Sequence, residues 1–167
     1  PAPTGRTVRG DTGPVTGCTL GRMPERNHAA DLAAFVSASP SSYHAAMEMA
    51  RRLAAAGFAE QRETEPWEPG GARYAVRDGA LIAWRVPEAA SGPVGFRIVG
   101  AHTDSPGFKL KPEPSAYAFG WSQAGMEVYG GPLLNSWLDR EFGLAGRVVT
   151  RDGEVRLVST PAWLRIP

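Results

Sequence analysis

The stretch Phe96-Arg97-Ile98-Val99-Gly100-Ala101-His102-Thr103-Asp104-Ser105-Pro106 decides how this chain is read. Phe96 to Ala101, with Gly95 before it, is a short apolar run of the kind that forms a buried central strand. His102 and Asp104 follow at its carboxyl end, where an α/β sheet presents its ligands. An imidazole can bind zinc, and a nearby carboxylate can hold the ring's other nitrogen and fix the tautomer. One histidine cannot hold a metal alone, because a catalytic zinc usually takes three protein ligands and an open position for water. On the residues alone, Asp104 equally suits a turn before Ser105-Pro106.

Toward the amino terminus, Arg73 to Arg77 and Ala80 to Val86 flank Asp78-Gly79, a strong hairpin signal. Pro87 to Pro93 reads as a small-residue loop between that hairpin and the central strand. Before the hairpin, Tyr43 to Ala56 has helical periodicity, with Tyr43, Met47, Ala50 and Ala54 on one stripe and Leu53 beside it. Arg51 and Arg52 lie near its end, where cations suit the helix dipole. Gly57 is the expected stop, with Phe58 packing back. Ser39-Pro40-Ser41-Ser42 is a break in which a serine caps this helix. Asn27 to Ser37 is a shorter helix capped by Asn27, with Leu32, Phe35 and Val36 on one face.

Toward the carboxyl terminus the chain is rich in strands. Phe108 to Lys111 is followed by a proline-broken loop to about Ser115. Met126 to Tyr129 and Leu133 to Leu138 are strand candidates around Gly130-Gly131, which serves backbone turning. Leu144 to Thr150 and Glu154 to Ser159 flank Asp152-Gly153, a second hairpin signal. The pattern predicts an α/β unit up to about Pro106 and then a second unit of β structure, barrel-like or sandwich-like.

With 167 residues the chain is of ordinary single-domain size, and its net charge of +1 gives no electrostatic footprint for nucleic acid. No apolar run approaches the ~20 residues that cross a bilayer, so no membrane partner is expected. Cys18 is the single cysteine, which excludes a disulfide framework and suits a reducing, cytoplasmic setting. Pro1 to Arg22 has arginines but no apolar core, so it does not read as a secretory signal. It is polar and rich in Gly, Thr and Pro, and is expected to be a disordered arm or a mis-started leader. The first residue is Pro1 rather than Met, and Ala162 to Pro167 stops within apolar sequence; the chain is expected to be a fragment.

Several motifs in order carry a family resemblance. Gly100 to Pro106, Lys109-Leu110-Lys111 and Glu127-Val128-Tyr129-Gly130-Gly131 resemble the aspartyl aminopeptidase family of dinuclear-zinc peptidases. Asn135-Ser136-Trp137-Leu138-Asp139-Arg140, then Leu144-Ala145-Gly146-Arg147-Val148, extend the likeness, as do Ser39-Pro40-Ser41 and Tyr43-His44-Ala45. It covers about Asn27 to Pro167. The resemblance implies an enzyme holding two zinc ions that removes N-terminal residues, often acidic ones, from peptides. It implies a three-layer α/β/α catalytic domain, interrupted by a β-rich dimerisation domain within a dimer-based dodecamer. Residues 1–22 would then be the arm, 23–105 the amino-terminal part of the catalytic domain, and 106–167 the truncated beginning of the inserted domain. His102 maps onto a zinc ligand. Asp104 maps onto the catalytic aspartate that orients that ligand. The family's bridging aspartate, paired glutamates and remaining ligands have no matching position in this chain.

Other residues read more simply. His28 and His44 fall on helical segments without partners at metal spacing. Asp139 and Glu141 are tempting carboxylates, but Asp139-Arg140 between apolar runs reads as a surface pair or interface contact. Lys109 and Lys111 alternate with Phe108 and Leu110 and form a solvated strand face. Trp121, Tyr129, Trp137 and Trp163 read as core or interface residues, and Cys18 lies in the arm. Two further readings stand beside the peptidase: a catalytically silent fragment acting only in assembly, and a non-enzymatic α/β binding module that shares the His-x-Asp.

Overall fold

The computed structural model describes residues 27–67, 70–87 and 95–166. The arm at 1–22, Cys18 and most of the Pro87 to Pro93 loop lie outside the described residues. Two helices open the fold, α1 (His28–Ser37) and α2 (Ser42–Ala55). Asn27 caps α1 by accepting from the Ala30 N–H at 3.0 Å, and Ser41 caps α2 through the His44 N–H. Gly57, at φ +86°, ends α2 in a Schellman turn: its N–H donates to Ala54 and that of Phe58 to Leu53, both at 3.0 Å.

The short strand β1 (Ala59–Glu60) pairs in parallel with β2 (Gly71–Arg77), and β2 pairs antiparallel with β3 (Ala80–Val86) across the Asp78-Gly79 turn. Helix α2 lies on this sheet. The core between them is Ala45, Ala46, Ala50, Tyr74 and Ala75. The buried stripe is therefore rotated from the expected one, with Met47 and Ala54 exposed and Ala46 buried. Alanine carries too little apolar area to dominate a periodicity reading, yet its small side chain lets a helix backbone approach a sheet closely. Gln61, just after β1, is also buried. Its amide donates to the Arg62, Glu65 and Pro66 carbonyls and organises the turn after β1.

Helix α1 attaches differently. Its expected apolar face stays open, with Leu32 and Val36 exposed. Arg52 of α2 supplies the link by reaching Asp31 at 2.8 Å and lying over the Phe35 ring. Glu48 receives both Arg51 and Arg52 at 2.7 Å.

The largest departure from expectation is at 95–101. This segment forms no strand, and Phe96, Ile98 and Val99 are 90, 87 and 97 % exposed. A central strand of a parallel sheet needs hydrogen-bonding neighbours on both edges and cover on both faces. None of the described residues supplies either for this run.

The remainder is antiparallel ribbon. β4 (Gly107–Ala118) pairs with β5 (Trp121–Tyr129), with a shift of register between Leu110 and Ser115. The prolines at 112 and 114 were expected to open a loop. They sit in the strand at this irregularity, where a missing N–H interrupts no ladder. Leu133 to Leu138 is not a strand: Leu134–Ser136 is a single 3-10 turn, and Leu138 only bridges to Ile166. β6 (Arg140–Phe142) pairs with β9 (Leu164–Ile166). β7 (Ala145–Val149) and β8 (Val155–Ser159) form the expected second hairpin. Trp137 is clamped edge-on between Phe108 and Phe142, at centroid distances of 5.0 and 5.7 Å. Trp121 and Trp163 are exposed rather than part of a core.

Glu48 provides a test of the helix pair. Hydrogen bonds from Arg51, then Arg52, lower its pKa from 4.5 to about 2. A folded-state pKa below the unfolded one adds stability that is complete above the unfolded value and is lost as pH falls through the folded one. Glu48→Gln should therefore lower the unfolding midpoint near pH 7. The gap to the parent should close between pH 4.5 and about 2 in denaturation curves taken across that range.

Candidate metal centre

His102 and Asp104 lie in a loop that has no regular structure, between the exposed run at 95–100 and β4. What shapes the loop is its anchors. The Thr103 hydroxyl donates to the Gly79 carbonyl at 2.6 Å, tying the loop to the turn of the β2–β3 hairpin. On the other side Pro106 packs against Gly130, where an added Cβ would lie 3.4 Å from the proline ring. Gly130 holds φ +66°, a conformation that glycine adopts without the steric penalty of a side chain.

Between these anchors stands a three-residue chain of hydrogen bonds. His102 Nδ1 lies 3.1 Å from Asp104 Oδ1. The Tyr129 hydroxyl donates to the other oxygen, Asp104 Oδ2, at 2.5 Å. The Tyr129 bond, and after it the His102 bond, hold the Asp104 pKa below the usual aspartate value. The same bond, with the negative charge of Asp104, pushes the Tyr129 phenol up. A carboxylate oxygen accepts, so the facing Nδ1 is the donor of this pair. In the neutral ring the lone pair is then on Nε2, on a side chain that is 92 % exposed. This is the tautomer a metal-binding histidine uses when a carboxylate holds its far nitrogen.

Strand register explains how Tyr129 reaches a residue 25 positions away. Tyr129 pairs with Gly107 at the end of the β4–β5 ribbon, just beyond the Asp104 loop. Lys109, one diagonal step along, lays its ammonium 3.7 Å from the centroid of the Tyr129 ring. Phe108, between them in alternation, packs on Trp137. Lys109 and Lys111 are exposed as expected, but Leu110 between them is exposed too, so burial does not alternate there.

The remaining candidates stay apart from the site. His44 Nδ1 is 2.8 Å from its capping Ser41 hydroxyl, and His28 opens α1. Asp139 does make a surface ion pair, but with Arg165 across the β6–β9 pair at 2.7 Å rather than with Arg140. Glu141 is exposed on β6. An open groove of about 430 Å³ lined by Gln61, Glu63, Val76 and Arg77 contains none of the site residues. No group of three or more His, Cys, Asp or Glu side chains among the described residues could enclose a metal. An imidazole with a carboxylate behind it has the chemistry of a single zinc ligand, and the described residues complete no three-ligand group around it. Tyr129 is the site residue that sequence reasoning passed over. Its signal was its place in the Glu127 to Gly131 motif, but an aromatic residue there reads first as packing.

The chain belongs to the M18 family: residues 35–167 match the family described as "Aminopeptidase I zinc metalloprotease (M18)". It is 55 % identical over 145 residues to a probable M18 family aminopeptidase 2 of Streptomyces avermitilis, covering 86 % of this chain and 34 % of that protein. Among solved structures it is similar to Ape4 in its complex with Nbr1 (TM-score 0.70, 37 % identity, 78 % of this chain and 26 % of that one). It is also similar to the S. cerevisiae mApe1 dodecamer (TM-score 0.67, 28 % identity, 80 % and 33 %). The mixed helix and strand content is consistent with the amino-terminal part of the family's α/β domain. The family is one of zinc metalloproteases. The chain spans about a third of the length of the curated relatives it matches. No helix among the described residues is long and apolar enough to cross a membrane.

The Thr103 anchor is testable by itself. Thr103→Val keeps the side-chain shape and removes the bond to Gly79. It should lower stability by about 1 kcal/mol and raise amide exchange at residues 101–105 in hydrogen–deuterium exchange.

Proposed function

We propose that this chain supplies His102 and Asp104 to the two-zinc site of an aminopeptidase that removes N-terminal residues, acidic ones preferred, from peptides. The observation that carries this reading is the His102–Asp104 pair, with Nδ1 engaged and Nε2 free, in a chain of the M18 family. Zinc, when bound, polarises the scissile carbonyl and makes water nucleophilic near neutral pH. His102 contributes one ligand through Nε2, and Asp104 orients the ring and assists catalysis. A general base must accept the proton of the attacking water. Asp104, with its lowered pKa, suits the orienting role, and another carboxylate takes the proton.

In this reading the other ligands and the base lie in further sequence of a longer protein, of which this chain is a fragment. Residues 23–105 then belong to the catalytic domain and 106–167 begin the inserted β-rich domain. The open run Phe96 to Val99 becomes a central strand once its neighbours are present. The protein works in the cytoplasm and self-associates, a proposal suggested by the dodecamer of the yeast relative. A second reading stands beside it, that the 167-residue chain alone is catalytically silent and acts only in assembly; in its favour, the described residues hold no group of three candidate ligands.

The test is a hybrid in which residues 27–167 replace the matching segment of the Streptomyces avermitilis relative. The hybrid should bind zinc and release N-terminal aspartate or glutamate from short peptides, while the 167-residue chain releases none. His102→Ala in the hybrid should lose zinc, measured by metal analysis, and activity with it. Asp104→Ala should keep part of the zinc and lose ~10–100-fold in turnover. A zinc-replete His102→Ala hybrid with parental turnover would overturn the assignment.

A further inference from the structure

We propose that Tyr129 is a positioning residue for the metal site: its hydroxyl holds Asp104 Oδ2, so that Asp104 Oδ1 holds His102 Nδ1 and Nε2 is aimed outward. The inference rests on the zinc reading above and extends it to a residue outside the His-x-Asp motif. Three observations carry it. The hydroxyl is 2.5 Å from Oδ2, while His102 takes the other oxygen at 3.1 Å, so each carboxylate oxygen has its own partner. The loop itself has no secondary structure to fix the carboxylate plane, and Asp104 is 41 % exposed at its side chain. A carboxylate held at one oxygen only can rotate about its Cβ–Cγ bond and swing the imidazole with it. Finally, Tyr129 is itself located by the ribbon register opposite Gly107 and by Lys109 over its ring.

The consequence is that the alignment of a ligand on one side of Pro106 is set by a strand on the other side. β5 reads out its position through Tyr129, and the Asp104 carboxylate passes it to His102. A tyrosine that only filled space would have no such effect, because phenylalanine would fill the same space.

The experiment compares the zinc-loaded hybrid enzyme with its Tyr129→Phe variant. Zinc affinity is read by competition with a chelator, and kcat and KM are read on one acidic peptide. The expected result is zinc affinity weaker by ~10–100-fold, the range for lost partners of metal-binding histidines, with kcat lowered and KM little changed. The same substitution is then made in an Asp104→Asn background. If Tyr129 acts through the carboxylate, it should have little further effect there. Parental zinc affinity and kcat in Tyr129→Phe would overturn the inference, as would an equal loss in both backgrounds. The His102→Ala variant separates the two claims. If it keeps its zinc, the metal reading itself fails; if it loses zinc while Tyr129→Phe is parental, only the positioning role fails.

Discussion

The Asp104 carboxylate is the constraint on which the site depends. Its two oxygens face in different directions and each is taken, one by the Tyr129 hydroxyl and one by His102 Nδ1. An irregular loop carries the entropy of every unfixed dihedral, so a ligand placed on it is aligned only as well as its anchors allow. Here the anchors come from opposite sides: Thr103 on the hairpin turn, and Tyr129 with Gly130 at the end of the ribbon. A separate link ties the β7–β8 hairpin to the same turn and to α2, since Arg147 of β7 pairs with Asp78 and lies over the Tyr43 ring. The site thus occupies the junction between the helical layer and the ribbons.

The packing around this junction is thin. Helix α2 meets the sheet through alanines, which bury little apolar area each, and α1 is held mainly by Arg52 rather than by its own leucine and valine. Apolar burial contributes roughly 25 cal/mol per Å², so a core of three alanines, one tyrosine and one further alanine is a modest driving force. The wide exposure of Phe96, Ile98 and Val99 fits the same picture. In an α/β sheet such a run is stabilised by neighbours on both edges and helices on both faces. The family relatives have about three times the length of chain with which to provide them.

Much of the fold was legible because it is local. Asn27 and a serine of the 39–42 break were expected to cap helices, Gly57 to end one, and Asp78-Gly79 and Asp152-Gly153 to turn hairpins. Each depends on a few adjacent residues whose side chains or backbone preferences act within one turn of chain. What misled were readings that depend on surroundings. Periodicity placed Met47 inside and Ala46 outside, because it weighs side-chain size and not closeness of approach. The apolar run at 96–101 spoke of a buried strand, because hydrophobicity records what a segment needs and not whether partners are present. The prolines at 112 and 114 spoke of a loop, although a ribbon accommodates them where its register shifts.

The sequence by itself determined the caps, the turns and the closeness of His102 to Asp104, and its ordered motifs carried the family likeness. Those features are written in neighbouring residues. Tertiary structure alone decided that Tyr129 meets Asp104, that Asp139 pairs with Arg165, that Trp137 lies between Phe108 and Phe142, and that Gln61 is buried. Each of these contacts except the last joins residues brought together by strand register or chain crossing. Gln61 bonds locally to its own turn, yet it also accepts from Arg73 and donates its backbone N–H to the Tyr74 carbonyl, both on β2. Register and cover are properties of the folded whole, and no short stretch of chain encodes them.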